Sequence, residues 1–228
     1  MNLHILYEDN HLIAVNKSNS DLVQGDKTDD EPLSDKVKAY IKEKYNKPGD
    51  VYLGVVHRLD RPVTGVVLFA KTSKALSRMN KLFQENSVEK KYWAIVKELP
   101  ENDSGTLTHY LIKNSKKNKS YTTSKLKKDA KKAVLSYRLA SSSARYHLLE
   151  VDLKTGRHHQ IRCQLSKAGF PIKGDLKYGF PRSNKNGGIS LHARSLSFTH
   201  PVKQEPLLIK APVPNDDNLW KEFENVTG

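Results

Sequence analysis

The 228-residue chain carries 39 lysines and arginines against 25 aspartates and glutamates, a formal net charge of +14, with 37 % hydrophobic residues. That balance excludes a disordered chain, no apolar run approaches the roughly 20 residues that span a bilayer, and the positive surplus implies a polyanionic partner, nucleic acid being the expected one. One cysteine, Cys163, leaves no intramolecular disulfide, and the start of the chain lacks the basic and apolar regions of a secretory signal, so the protein is expected in the cytoplasm.

Leu12, Ile13, Ala14 and Val15 form an apolar run that reads as a buried strand. Polar, turn-rich sequence follows from Ser18 to Glu31. Leu33, Val37, Tyr40, Ile41 and Tyr45 then recur at helical spacing, with Pro48-Gly49 as the stop. A β-rich run from Val51 to Leu59 breaks at Asp60-Arg61-Pro62, and a strand resumes from Thr64 to Ala70. Thr72 or Ser73 caps a helix in which Leu76, Met79 and Leu82 share a face. Tyr92 to Val96 alternates as a strand. Nine lysines lie between Lys113 and Lys132, and Tyr121 with its neighbouring threonines suggests a protruding basic hairpin there. Such runs are usually solvated loops, but the net charge favours an arm that contacts phosphates. Val134 to Leu139 and Tyr146 to Leu153 read as strands. Gly156 to Gln164 leads into a helix ending near Gly169-Phe170-Pro171, and Ser195 to Thr199 and Leu207 to Lys210 are short late strands. Strands dominate, and most connections are too short for parallel crossovers. The expected class is α+β, with a mixed, mainly antiparallel central sheet and flanking helices, in one domain over residues 1–228 with the basic hairpin at 113–132.

Four segments concentrate reactive side chains: His57-Arg58-Leu59-Asp60, Lys91-Tyr92, the run from Thr155 to Arg162, and Leu191-His192-Ala193. An Asp before Arg-Pro is most often a turn residue bonding nearby N–H groups. Here β-rich segments on both sides would hold its carboxylate on a rigid frame. In an extended strand Arg58 and Asp60 point to one face, and Arg162 comes within reach from the helix after Gly156. A carboxylate paired with arginine stays ionised, which suits nucleophilic or electrostatic work and not general-acid work at neutral pH. His158 and His159 do not read as a metal pair, because neighbours on a helix point about 100° apart. Cys163 is expected to be packed, not reactive, and Trp93 and Trp220 to be core anchors.

His57-Arg58-Leu59-Asp60-Arg61-Pro62-Val63-Thr64-Gly65 resembles the signature of the RluA-type pseudouridine synthases, whose usual form is His-Arg-Leu-Asp, two variable residues, Thr-Ser-Gly. Lys90-Lys91-Tyr92-Trp93-Ala94 is similar to the family's second motif, and Thr155 to Arg162 to its third. Gly174-Asp175 with Tyr178-Gly179, and Leu191-His192-Ala193 with His200-Pro201, match further blocks in order, so the resemblance runs from Leu12 to Pro214. It implies the pseudouridine synthase catalytic fold and the isomerisation of uridine in RNA. The C1′–N1 bond breaks and the base rejoins through C5; no atoms are added, so no cofactor is expected.

The resemblance further implies Asp60, Tyr92 and Arg162 as the catalytic residues. Asp60 attacks C1′ or C6, or removes a ribose proton, and the sequence leaves all three routes open. Tyr92 stacks on the target base and assists loss of the C5 proton, and Arg162 pairs with the carboxylate. The target base is flipped out at a cost of a few kcal/mol, and Arg58 enters the gap. His57, Arg157, His159, Lys116, Lys117 and Lys119 complete the expected RNA-binding set. The departures are Val63-Thr64 in place of Thr-Ser, and Ser18-Asn19-Ser20 after Asn16-Lys17 in place of Pro-x-Gly. With no room before Leu12 for an extra RNA-binding domain, substrate choice is expected to fall to the catalytic domain and the lysine arm. The expected partner is ribosomal or transfer RNA, met by a monomer with no membrane and no metal. An RNA chaperone on the same fold accounts for the charge but has no need of Asp60, Tyr92 and Arg162 together. A metal-dependent nuclease requires a carboxylate cluster that the sequence lacks.

Overall fold

A computed structural model describes residues 3–25 and 30–227, so positions 26–29 of the polar stretch between Ser18 and Glu31 lie outside the described residues. The first elements along the chain are β1 (Ile5–Glu8), β2 (Leu12–Lys17), α1 (Leu33–Lys44), β3 (Gly54–Val55), β4 (Thr64–Ala70) and α2 (Ser73–Gln84). There follow β5 (Glu89–Val96), β6 (Ser104–Asn114), β7 (Lys119–Thr123), β8 (Lys131–Ser142), β9 (His147–Leu153) and α3 (Gln160–Lys167). A single 3-10 turn (Leu176–Tyr178), β10 (Leu191–Thr199), β11 (Pro206–Lys210) and α4 (Asn218–Thr227) complete the order. The chain forms two compact units, residues 1–88 with 194–212 and residues 89–193 with 213–228.

In the first unit β2 lies between β1 and β4, antiparallel to both, with Leu12 opposite Ala70 and Lys17 opposite Gly65. Leu12–Val15 and Val66–Ala70 are fully buried, as continuous apolar runs require when both faces of a sheet are covered. Leu12, Ala14, Val66 and Leu68 pack with Met79 of α2 and with Leu196, Phe198 and Ile209. Each of these side chains larger than alanine contributes about 1.5–3 kcal/mol when taken fully from water. α2 starts where expected, because the Thr72 hydroxyl accepts from the Ala75 N–H at 3.1 Å. Glu8 at the end of β1 accepts from Tyr40 and Lys44 of α1 and from Tyr45 and Lys71. Burial raises the pKa of this carboxyl, and the donors, Lys44 first, outweigh it and hold the group at about 2.

The β-rich run expected from Val51 to Leu59 is only two residues long. β3 makes two rungs with β4, Gly54 opposite Ala70 and Val55 opposite Phe69. Beyond them the His57 ring nitrogen Nε2 accepts from the Leu68 N–H at 3.1 Å. A side chain thus takes a strand N–H just past the last rung, and the backbone leaves the sheet edge there.

The second unit orders its strands β5-β9-β8-β6-β7, every neighbour antiparallel. Trp93, Ile95 and Leu148 pack against Trp220 and Phe223 of α4, so both tryptophans are core anchors, as expected. The basic segment does form a hairpin. β6 pairs with β7 from Tyr110↔Thr123 to Asn114↔Lys119, and with β8 on its other edge. The architecture is the α+β class, mainly antiparallel with helices, that the sequence led one to expect. Among the described residues no helix is long and apolar enough to cross a membrane.

Candidate active site

Past β3 the chain runs through exposed Arg58 and buried Leu59 to Asp60, which is half-buried. The Asp60 carbonyl accepts from the Val63 N–H at 3.0 Å, closing a tight turn over residues 60–63. Lys17, the last residue of β2, is 1 % exposed. Its ammonium donates to the carbonyls of Ser18 (2.8 Å), Arg61 (2.9 Å) and Val63 (2.8 Å). Three protons meet three acceptors, so the donor capacity of the ammonium is filled. Two of those acceptors lie in the turn that carries Asp60. Burial pushes the Lys17 pKa down to about 7, against the pull of the nearby Asp21 and Asp60 carboxylates. Sequence reasoning gave Lys17 no role; the available signal was a lysine closing an otherwise fully apolar strand.

His57 is half-buried, and its ring stacks on Phe83 at 5.4 Å with 21° between planes. Because Nε2 accepts from Leu68, the ring proton sits on Nδ1. This histidine, expected to touch RNA, is built into the support of the Asp60 segment. Arg61 forms an exposed pair with Asp30 at 2.7 Å, worth little on its own.

In the second unit α3 begins at Gln160, one turn later than the motif suggested. His159 precedes it in the left-handed region, with φ of 52°. The two histidines are therefore off the helix, and their rings stack 3.8 Å apart. Gln160 explains the rigid approach to the helix. Its side-chain oxygen accepts from the Thr155 hydroxyl (2.7 Å) and the Arg157 N–H (2.9 Å), and its amide donates to the Val134 carbonyl (3.0 Å).

Arg162 and Asp175 are 5 % and 1 % exposed. Nε of the arginine donates to one Asp175 oxygen at 2.7 Å and Nη2 to the other at 2.9 Å. The guanidinium lies over the Tyr178 ring, 5.1 Å from its centroid. The Tyr178 hydroxyl accepts from the Ser120 N–H (2.9 Å), donates to the Ser120 carbonyl (3.1 Å) and meets Nδ1 of His159 at 3.1 Å. Burial, then the Arg162 charge, pushes His159 down to about 2 and keeps it neutral. Asp175 is the residue sequence reasoning missed here: the Gly174-Asp175 pair was noticed, its partner was not.

Tyr92 sits in β5 opposite Val151 and is largely buried. Arg157 is exposed and its Nε donates to the Lys132 carbonyl at 3.0 Å. Lys116 and Lys117 stand exposed in the β6–β7 turn. Lys119 differs: its ammonium donates to the Lys177 carbonyl and lies 4.8 Å from the Tyr178 ring centre. So the structure gathers His159, Arg162 and Lys119 around Tyr178, and His57, Arg58 and Asp60 along one segment of the first unit. Cys163 is packed, as expected, with its thiol donating to the Ser120 carbonyl at 3.4 Å and pushed up to about 11 by burial. Among the described residues no three His, Cys, Asp or Glu side chains gather in a way that could hold a metal ion.

Residues 11–167 match the family model described as RNA pseudouridylate synthase. The chain belongs to this family. The match includes the Asp60 turn, Tyr92 and Arg162. The synthase is 32 % identical over 240 residues to the tRNA pseudouridine synthase C of Vibrio cholerae, covering 96 % of this chain and 93 % of that protein. It is also 32 % identical over 231 residues to the ribosomal large subunit pseudouridine synthase C of Buchnera aphidicola subsp. Schizaphis graminum, covering 97 % of this chain and 70 % of that one. Its fold is that of the human RNA pseudouridylate synthase domain containing 4, with a TM-score of 0.79 at 24 % identity over 98 % of this chain and 92 % of that chain. As a pseudouridine synthase, the enzyme is an isomerase acting on uridine in RNA.

Proposed function

We propose that the enzyme isomerises a specific uridine in structured RNA, ribosomal or transfer, with Asp60 as the catalytic carboxylate. One observation carries the reading: a half-buried carboxylate sits on a turn whose carbonyls are held by a buried lysine. Such a frame is what a positioned nucleophile or base requires. The carboxylate meets the flipped nucleoside at its sugar–base bond. There it attacks C1′ or C6, or takes a ribose proton, while C1′–N1 breaks and C1′–C5 forms. C5 loses a proton and N1 gains one, so nothing is added overall and no cofactor is needed. Tyr92 stacks on the base and assists at C5, and Arg162 partners the carboxylate. Arg58, exposed on the same segment as Asp60, fills the gap left by the extruded base. The enzyme works as a monomer in the cytoplasm.

Purified protein, given RNA from a strain lacking the gene, is expected to form pseudouridine at a discrete position without added metal or nucleotide. Mapping pseudouridine along that RNA checks it. RNA bound but unconverted would leave only an RNA-binding protein.

The hairpin supplies a second check. Replacing Lys116 and Lys117 by Gln is expected to weaken RNA binding and flatten its salt dependence by about 0.7 log units per lost phosphate contact on a single strand. Titrations across a range of salt concentrations measure this, and an unchanged slope would return the turn to plain solvated surface. Lys119 is not included, because its ammonium also ties the hairpin to Lys177.

A further inference from the structure

We propose that Asp175 is a positioning residue for the isomerisation, acting through Arg162. The proposal deepens the reading that makes Arg162 the partner of the reacting carboxylate, and rests on it. A guanidinium is a planar fork of five N–H groups, so a single contact fixes its place but not its plane. Asp175 makes two contacts, at 2.7 and 2.9 Å, along the Nε–Nη2 edge. Tyr178 covers one face, 5.1 Å from the guanidinium carbon. Edge and face together fix the plane, the rotation within it and hence the direction of the Nη1 side. The Nη1 side is the edge of the fork that these contacts with Asp175 leave over.

The two fixing groups come from one turn. The Asp175 N–H donates to the Ile172 carbonyl at 3.0 Å, and the Asp175 carbonyl accepts from the N–H groups of Tyr178 (3.1 Å) and Phe180 (3.0 Å). Carboxylate and ring therefore move as a unit, and the arginine they hold inherits their rigidity. The pair is almost fully buried. Without the acid, two charge-assisted bonds of a buried guanidinium are lost, and the arginine is no longer held in that plane.

The test uses Asp175→Asn, which keeps the shape, removes the charge and sets an amide donor against the arginine N–H groups. Turnover per folded molecule is expected to fall about 10-fold or more, as misplaced catalytic groups typically cost, with RNA Kd changed less than about twofold. In an Arg162→Gln background the same substitution is expected to leave kcat unchanged, since its effect passes through the arginine. A merely structural carboxylate gives another pattern: a lower folded fraction with normal kcat per folded molecule, or the same factor lost in both backgrounds. Either result overturns the proposal. Should Asp175→Asn fail to fold, Asp175→Glu keeps the charge and shifts the fork by one methylene. Folded Asp175→Glu with full kcat overturns the proposal too. The underlying reading fails separately, if Asp60→Asn keeps its activity.

Discussion

Asp60→Asn is expected to lower turnover by about 10³-fold or more while RNA Kd changes less than about twofold. The amide has the size of the carboxylate but neither attacks carbon nor takes up a proton, so each of the three routes open to Asp60 is closed by the same change. The hydrogen bonds that close the turn do not use the carboxylate. The Asp60 backbone carbonyl closes the turn with Val63, and Lys17 is satisfied by three other carbonyls. Binding is spread over the basic surface and survives the loss of one acid. Pseudouridine formed per enzyme in single-turnover assays, beside equilibrium binding to the same RNA, separates the two quantities. Full activity in Asp60→Asn would remove the carboxylate from the mechanism.

Lys17→Met has the next largest expected effect. The methionine fills similar volume but leaves the carbonyls of Ser18, Arg61 and Val63 without their donor. The bond to Val63 is buried and the other two partly so, and a fully buried acceptor so stranded costs about 1–3 kcal/mol. Water entering to satisfy them loosens the turn that carries Asp60, and misplacement by about 1 Å typically costs about 100-fold in rate. The expected result is a lower melting temperature, kcat reduced about 10- to 100-fold, and faster amide exchange at Val63, with RNA Kd little changed. Unchanged exchange and kcat would mean that the turn holds itself.

The same lysine predicts a pH effect in which stability and turnover diverge. Burial has brought its pKa from 10.5 to about 7. Between those values the unfolded chain holds a proton that the folded one has released, so rising pH favours the fold through this group. Turnover moves the other way. A neutral amine has two N–H bonds for three carbonyls, and the turn slackens. Wild-type kcat is expected to decline as pH rises through about 7, with no loss of melting temperature attributable to Lys17, and Lys17→Met should lack that decline.

What the sequence revealed, and what it hid, follows from the range of the interactions. β2, β4, α1 and α2 were visible because their signals are local: unbroken apolar runs, helical spacing and a Thr72 cap. Asp60 was visible because the segment from His57 to Gly65 resembles the family signature; as an Asp before Arg-Pro alone it reads as a turn residue. The early end of β3 was not visible, since the group that takes the next β4 N–H is an imidazole side chain 11 residues away. The ion pair of Arg162 with Asp175 spans 13 residues, and Lys17 reaches carbonyls 44 and 46 residues further on; no local pattern encodes either. His159 read as helical, yet its left-handed backbone places the ring against Tyr178. α4 escaped notice because Trp220 and Phe223 make only one turn of apolar pattern, and their meaning lies in the Trp93 cluster they cover.

Ser120, one rung from the β6–β7 turn, locks that end of the hairpin to Tyr178, whereas residues 115–117 extend past the lock. The hairpin is therefore modular. Changes of length or sequence in its tip are expected to leave undisturbed the ring that supports Arg162. Grafting a relative's tip between Asn114 and Asn118 should redirect the enzyme to a different RNA at nearly constant kcat, a change in client without a change in engine.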